Sequence, residues 1–177
     1  MTLSAKRAHV LPHVFVAAIA IGATVLSGWF DSALAAPNKQ ALRARRLIEE
    51  RARRQLGSPY VWGGTSPGGF DCSGFTRWVF LPKATLPHNS GSQFSLARRG
   101  RHRRVWKKRN LAVGDLVFFD TTSALVGHVG IFIGRGRFIH SSSSRGVRID
   151  SVHDPYYYAA RFVGAVRVPA LRTHLRS

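Results

Sequence analysis

Cysteine is almost missing from this 177-residue chain; the single one is Cys72. A lone thiol makes no internal disulfide and excludes any zinc site built from cysteines alone. Acidic residues are scarce as well, 8 Asp+Glu against 27 Lys+Arg, for a formal charge of +19. Beyond Glu50 there is no glutamate, only Asp71, Asp115, Asp120, Asp150 and Asp154, so sugar cleavage by paired carboxylates is poorly supported. No internal repeat is visible. What the chain does hold, 45% hydrophobic residues with 11 Phe, 4 Trp and 4 Tyr, is enough to bury a core and argues against disorder. The length suits one ordinary domain. The basic excess calls for an anionic partner without choosing among nucleic acid, membrane and cell wall.

The first residues read as an address. Lys6 and Arg7 precede an apolar stretch from Val14 to Leu26, and Ala33-Leu34-Ala35 supplies a small-x-small site. This is the layout of a cleaved secretory signal over residues 1–35. A retained anchor is the alternative, since Val10 to Phe30 almost spans a bilayer, although Pro12 and His13 interrupt it. Cleavage leaves 25 basic and 7 acidic residues, a charge of +18. Export, to the periplasm or the extracellular wall, makes nucleic acid an unsuitable partner, and no nucleic-acid motif accompanies the charge.

A basic helical lead-in is expected over residues 36–55. Ala44, Leu47/Ile48, Ala52 and Leu56 recur at helical spacing, and Gly57 supplies a stop. Its arginine-rich face reads as solvated, with Glu49 and Glu50 as partial partners. Tyr60-Val61-Trp62 is short and extended, and a loop with Gly63, Gly64, Gly68 and Gly69 follows. An amphipathic helix begins at Asp71, and Ser90–Ala97 forms a short one. The pattern then changes to period two or continuous apolar runs at 116–119, 129–133, 137–140, 147–149 and 162–168, which predicts an antiparallel sheet of about five strands. Helices first and strands later is the α+β order. Asp115 and Asp120 are expected to cap turns, and Tyr156-Tyr157-Tyr158 to pack one or two rings on the sheet. Arg98 to Arg109 carries eight positive charges in twelve residues.

The chemistry centres on Asp71-Cys72-Ser73-Gly74, where the glycine loop ends and the helix begins. A thiol at a helix N-terminus feels the positive end of the dipole and unpaired N–H groups, which favour the thiolate and can receive an oxyanion. A nucleophilic Cys needs a base. His102 lies in the arginine run, His174 in a tail, and His88 and His153 in turn-like contexts. His128 opens one strand and His140 closes the next, twelve residues apart around Gly134-Arg135-Gly136. A three-residue loop brings both rings to one face, where they can act as base and orienter. Metal binding by Cys72, His128 and His140 competes with this reading, although the spacing lacks the short ligand pairs of structural zinc sites.

Leu56-Gly57-Ser58-Pro59-Tyr60-Val61-Trp62-Gly63-Gly64, Asp71-Cys72-Ser73-Gly74, Gly114-Asp115-Leu116-Val117-Phe118-Phe119, Gly127 to Gly134 and Phe138-Ile139-His140 together resemble the NlpC-type cell-wall peptidases. These are papain-like cysteine endopeptidases of peptidoglycan. The resemblance runs from about residue 41 to 168 and implies a papain-like catalytic domain over 56–170, followed by a basic tail at 171–177. It implies Cys72 as nucleophile, His128 as general base and acid, and His140 as the third polar residue. Tyr60 and Trp62 are implied on the oxyanion and substrate side, and Asp71 and Ser73 in a substrate-amine pocket. Leu86 to Ser90 and Gln93 match a segment beside the cleft, which leaves His88 no separate role. The implied reaction is hydrolysis of the D-γ-glutamyl–diamino acid bond by a monomer without cofactor or metal. An amidase or acyltransferase on the same fold, or a non-catalytic basic wall-binding protein, are the other readings. No wall-binding module fits before Ala41, so Arg98–Arg109 is expected to hold the enzyme on anionic wall polymers or membrane.

Overall fold

The computed structural model describes residues 39–99, 102–122 and 126–169; the expected signal at 1–35 and the tail at 171–177 lie outside them. Helix α1 spans Lys39–Arg53 and buries Ala41, Ala44, Ile48 and Ala52 at spacings of three and four. Leu47 and Leu56, both expected on that face, are exposed at 52% and 44%. Leu47 turns outward beside Ile48, and Leu56 falls in the turn that follows the helix, which ends at Arg53, four residues before the expected stop at Gly57. The arginine face is less solvated than expected. Arg45 donates to the Val113 carbonyl, and Arg51 lies 3.5 Å over the Trp78 ring while donating to the Trp78 carbonyl at 3.1 Å. Arg53 pairs with Glu49 at 2.8 Å.

A two-residue hairpin, β1 (Thr65–Ser66) and β2 (Gly69–Phe70), precedes helix α2 (Cys72–Phe80). Helix α3 (Ser90–Ser95) continues as a 3₁₀ turn, Leu96–Arg99. The sheet comprises β3 (Arg103–Val105), β4 (Leu116–Phe119), β5 (His128–Gly134), β6 (Arg137–Ser142), β7 (Gly146–Ser151) and β8 (Phe162–Arg167), with a short helix α4 (Tyr158–Arg161) before the last. Its order is β3-β8-β4-β5-β6-β7, six strands where about five were expected. Every pairing within it is antiparallel. The added strand is hidden in the arginine run because only Val105 of its three residues is buried. Edge strands carry such charges commonly, since they discourage pairing with another chain.

All four residues of β4 are buried. Leu116 and Phe118 face the helices, among Ile48, Phe75, Val79 and Phe80; Val117 and Phe119 face a second cluster with Phe132, Phe138 and Val152. A continuous apolar run is what a strand covered on both faces requires. Asp115 caps the turn before β4 by accepting from Ala112 N–H at 2.9 Å, and it also takes two hydrogen bonds from Arg167, each 2.7 Å. Asp120, expected in a similar role, is exposed. Of the three tyrosines, Tyr158 packs on Phe119 and Phe138, whereas Tyr156 is 92% exposed.

Candidate active site

Cys72 is the first residue of α2, and Asp71 is its N-cap. The Asp71 Oδ1 accepts from Gly74 N–H at 2.6 Å and from the Ser73 hydroxyl at 2.9 Å. The glycine loop lies directly on this first turn, with Asp71 N–H donating to Gly64 O at 3.0 Å. A Cβ on Gly74 would strike that same Gly64 carbonyl, so the backbone approach explains why glycine follows Cys-Ser here. Gln93 is fully buried and ties the turn to its surroundings: its amide donates to Ser73 O at 3.0 Å and Pro87 O at 2.7 Å, and its carbonyl accepts from Thr76 at 2.8 Å.

The β5–β6 hairpin delivers the histidines as the sequence implies. Gly134, Arg135 and Gly136 all have positive φ. The ladder slips by one residue at this turn, pairing Gly134 with Arg137 but Phe132 with Phe138 and Ile131 with Ile139. The slip converts an even separation into a shared face. Gly130 lies across from His140, where a Cβ would meet Ile139 O and the His140 Cβ. That space lets His128 Nε2 reach His140 Nδ1 at 2.7 Å. The His140 ring is fully buried, stacked on Phe138 at 4.8 Å and edge-on to Tyr158 at 5.6 Å. Its Nε2 lies 2.9 Å from Asp150 Oδ2, and Arg148 donates to Asp150 Oδ1 at 2.6 Å.

Cys72 and His128 open onto one groove of about 960 Å³. The backbone N–H groups of Val129, at the start of β5, and of Ser73 and Cys72 itself act on the sulfur. Those N–H groups favour the thiolate, as the helix N-terminus suggested, but burial outweighs them and pushes the thiol up to about 11. Burial and the neighbouring His140 push His128 down to about 3. Burial thus favours the thiol and the neutral imidazole, against the expected thiolate. Burial also lowers His140, and its hydrogen bonds from His140 and Arg148 hold the Asp150 carboxyl below its ordinary value against the opposing effect of desolvation.

Tyr60 and Trp62 line the same groove, Trp62 at 88% exposure. Burial, then the charges of Cys72 and Asp71, raise the Tyr60 phenol. Asp71 and Ser73 also line it, but their polar atoms are occupied: Ser73 bonds Asp71 Oδ1, and His88 Nε2 approaches Asp71 Oδ2 at 2.7 Å. His88 thus has a partner at the site that the sequence did not assign to it, and Asp150 is a second residue missed. His102 and His153 do not line the groove, and His174 lies outside the described residues. Among the described residues no three of His, Cys, Asp and Glu group as a metal site requires; the rings of His128 and His140 and the Asp150 carboxylate are hydrogen-bonded to one another.

Known proteins are similar to this chain in sequence and fold. The chain is 42% identical over 108 residues to "Probable endopeptidase p60" of Listeria innocua, covering 60% of this chain and 21% of that one. It is 34% identical over 136 residues to "Murein DD-endopeptidase MepH" of Escherichia coli, covering 74% of this chain and 48% of the relative. It thus spans about a fifth to a half of these curated relatives' length. The crystal structure of an NlpC/P60 family protein from Bacillus cereus superposes with a TM-score of 0.59 at 36% identity, covering 75% of this chain and 40% of that one. Residues 57–167 match the NlpC/P60 family model, well over half of the chain. The chain belongs to the NlpC/P60 family and has its papain-like α+β fold.

Proposed function

We propose that this protein is an exported cysteine peptidase that hydrolyses the stem peptides of peptidoglycan. The observation that carries the reading is a single thiol at a helix N-terminus sharing a groove with a base whose far nitrogen is engaged by a second, buried imidazole. His128 Nε2 is committed to His140, which leaves Nδ1 for the thiol. His128 takes the Cys72 proton as sulfur attacks the peptide carbonyl, so the neutral pair becomes charged only during reaction. Backbone N–H groups at the start of α2, with the Tyr60 hydroxyl, hold the oxyanion. His128 then protonates the leaving amine, and water, deprotonated by His128, releases the acyl group and restores the thiol. The murein name of the E. coli relative supports the substrate class.

The bond we favour joins D-γ-glutamate to the diamino acid, with Trp62 and Tyr60 along the peptide. The E. coli relative's name instead points to the D,D cross-link, which is the second reading. Purified protein incubated with purified peptidoglycan, followed by mass spectrometry of the released fragments, separates them. New amino termini on the diamino acid are expected. Fragments ending at the D,D cross-link favour the second reading, and products explained by glycan or amide cleavage alone would overturn the peptidase assignment.

Basic residues retain the enzyme on anionic wall polymers. The surface is smaller than the run of charges suggests, because Arg104 stacks 3.7 Å over Phe94 and Lys108 donates to Ala159 O at 2.8 Å. Arg98, Arg103, Lys107 and Arg109 are the exposed members among the described residues. Retention on isolated walls should weaken with added salt and on replacing Arg103, Lys107 and Arg109 by Gln; retention insensitive to both would exclude this surface.

A further inference from the structure

Asp150 ends the histidine chain in a geometry more specific than an exposed carboxylate needs. Arg148 is the register partner of His140 across β6 and β7, so Asp150, two residues on, shares that face and meets the ring diagonally. We propose that Asp150 is the positioning residue that decides which nitrogen of His128 is the base. The inference rests on the reading of Cys72 as nucleophile and His128 as its base.

An ionised carboxylate only accepts hydrogen bonds. With Asp150 Oδ2 at 2.9 Å, His140 therefore carries its proton on Nε2. In the neutral ring Nδ1 is then a lone pair, and at 2.7 Å it accepts from His128 Nε2–H. His128 is left with its own lone pair on Nδ1, the nitrogen free to face the thiol. Reversing the His140 tautomer reverses the whole chain: Nδ1–H would donate to His128 Nε2, and the His128 proton would move to Nδ1, where no base is left for Cys72. Packing does not choose between these states. Phe138, Tyr158 and His128 fix the ring's orientation from their sides, and both tautomers have one shape. The choice falls to the group at Nε2.

Arg148 makes this testable with an isosteric change. Its guanidinium donates to Asp150 Oδ1 at 2.6 Å. In Asp150→Asn the side-chain carbonyl stays with Arg148, which turns the amide N–H toward His140 Nε2 and imposes the unproductive tautomer. Asp150→Asn is accordingly worse than Asp150→Ala, and adding Arg148→Met to Asp150→Asn lets the amide turn over and recovers activity.

The test is ¹⁵N NMR of the histidine side chains in the full chain, with steady-state kinetics on a stem peptide. Wild type should show His128 protonated at Nε2 and bare at Nδ1, and Asp150→Asn should show the reverse. Its kcat should fall about 10²-fold or more, since fixing the wrong tautomer of a catalytic His costs up to roughly 10⁴-fold, while KM changes little. A purely structural role would move the melting temperature and leave the tautomer alone. Wild-type tautomer and kcat in a folded Asp150→Asn would overturn the proposal; if that variant does not fold, a single wild-type His140 tautomer in Asp150→Ala would do the same. A wild type inactive on peptidoglycan, with the tautomer still reversed in Asp150→Asn, would sink the substrate reading and leave this one standing.

Discussion

Acidification from pH 7 to 4 should destabilise the domain through the two groove histidines. Burial disfavours the imidazolium form of both, and His128 is pushed from its ordinary 6.5 to about 3. An unfolded chain binds a proton on each ring near pH 6.5, whereas the folded chain resists. Stability is thus full above about 6.5 and falls as pH drops through the window to about 3. Each ring contributes up to roughly 1.4 kcal/mol per pH unit, and His128 alone reaches about 5 kcal/mol as an upper figure. A small domain has only about 5–15 kcal/mol in total. The lowered Asp150 adds a loss in the same direction at the acid end, below its ordinary 3.8. Urea titrations at pH 7, 6, 5 and 4 measure the slope, with His128→Gln/His140→Gln as the comparison. A midpoint that does not move with pH, or moves equally in the double variant, would refute the reasoning.

A thiol pushed up to about 11 should be alkylated ever faster as pH rises past 8; a rate already at its plateau by pH 7 would mean a resting thiolate. Gly74→Ala puts a methyl on the Gly64 carbonyl and should displace the glycine loop, lowering stability by about 1–3 kcal/mol along with activity; a variant with unchanged melting and turnover would contradict the packing. Asp115 is fully buried on Arg167, so Asp115→Ala leaves a cation unpaired and should cost about 3–5 kcal/mol in denaturant titrations.

The sequence carried most of this fold because its signals were local. The apolar run at 116–119 marks a strand covered on both sides, and the twelve-residue spacing of His128 and His140 held once Gly134-Arg135-Gly136 supplied the extra residue. β3 escaped because its pairing with β8 joins residues sixty or more apart, and its arginines speak of solvent. His88 and Asp150 escaped for a related reason. His88 reaches Asp71 from seventeen residues away through a loop pinned by Gln93, and Asp150 meets His140 only through the β6–β7 register. Neither spacing has a signature in one chain. The thiol's protonation was misread because a helix N-terminus is visible in sequence and depth of burial is not.

Stoichiometric alkylation of the one cysteine tests the central claim most directly, since no other thiol can take the label in its place. Protein modified at Cys72 to completion, confirmed by intact mass, should release stem-peptide fragments from purified peptidoglycan no faster than Cys72→Ala, with binding to the wall retained. Fragment release at the unmodified rate from fully alkylated protein would contradict it.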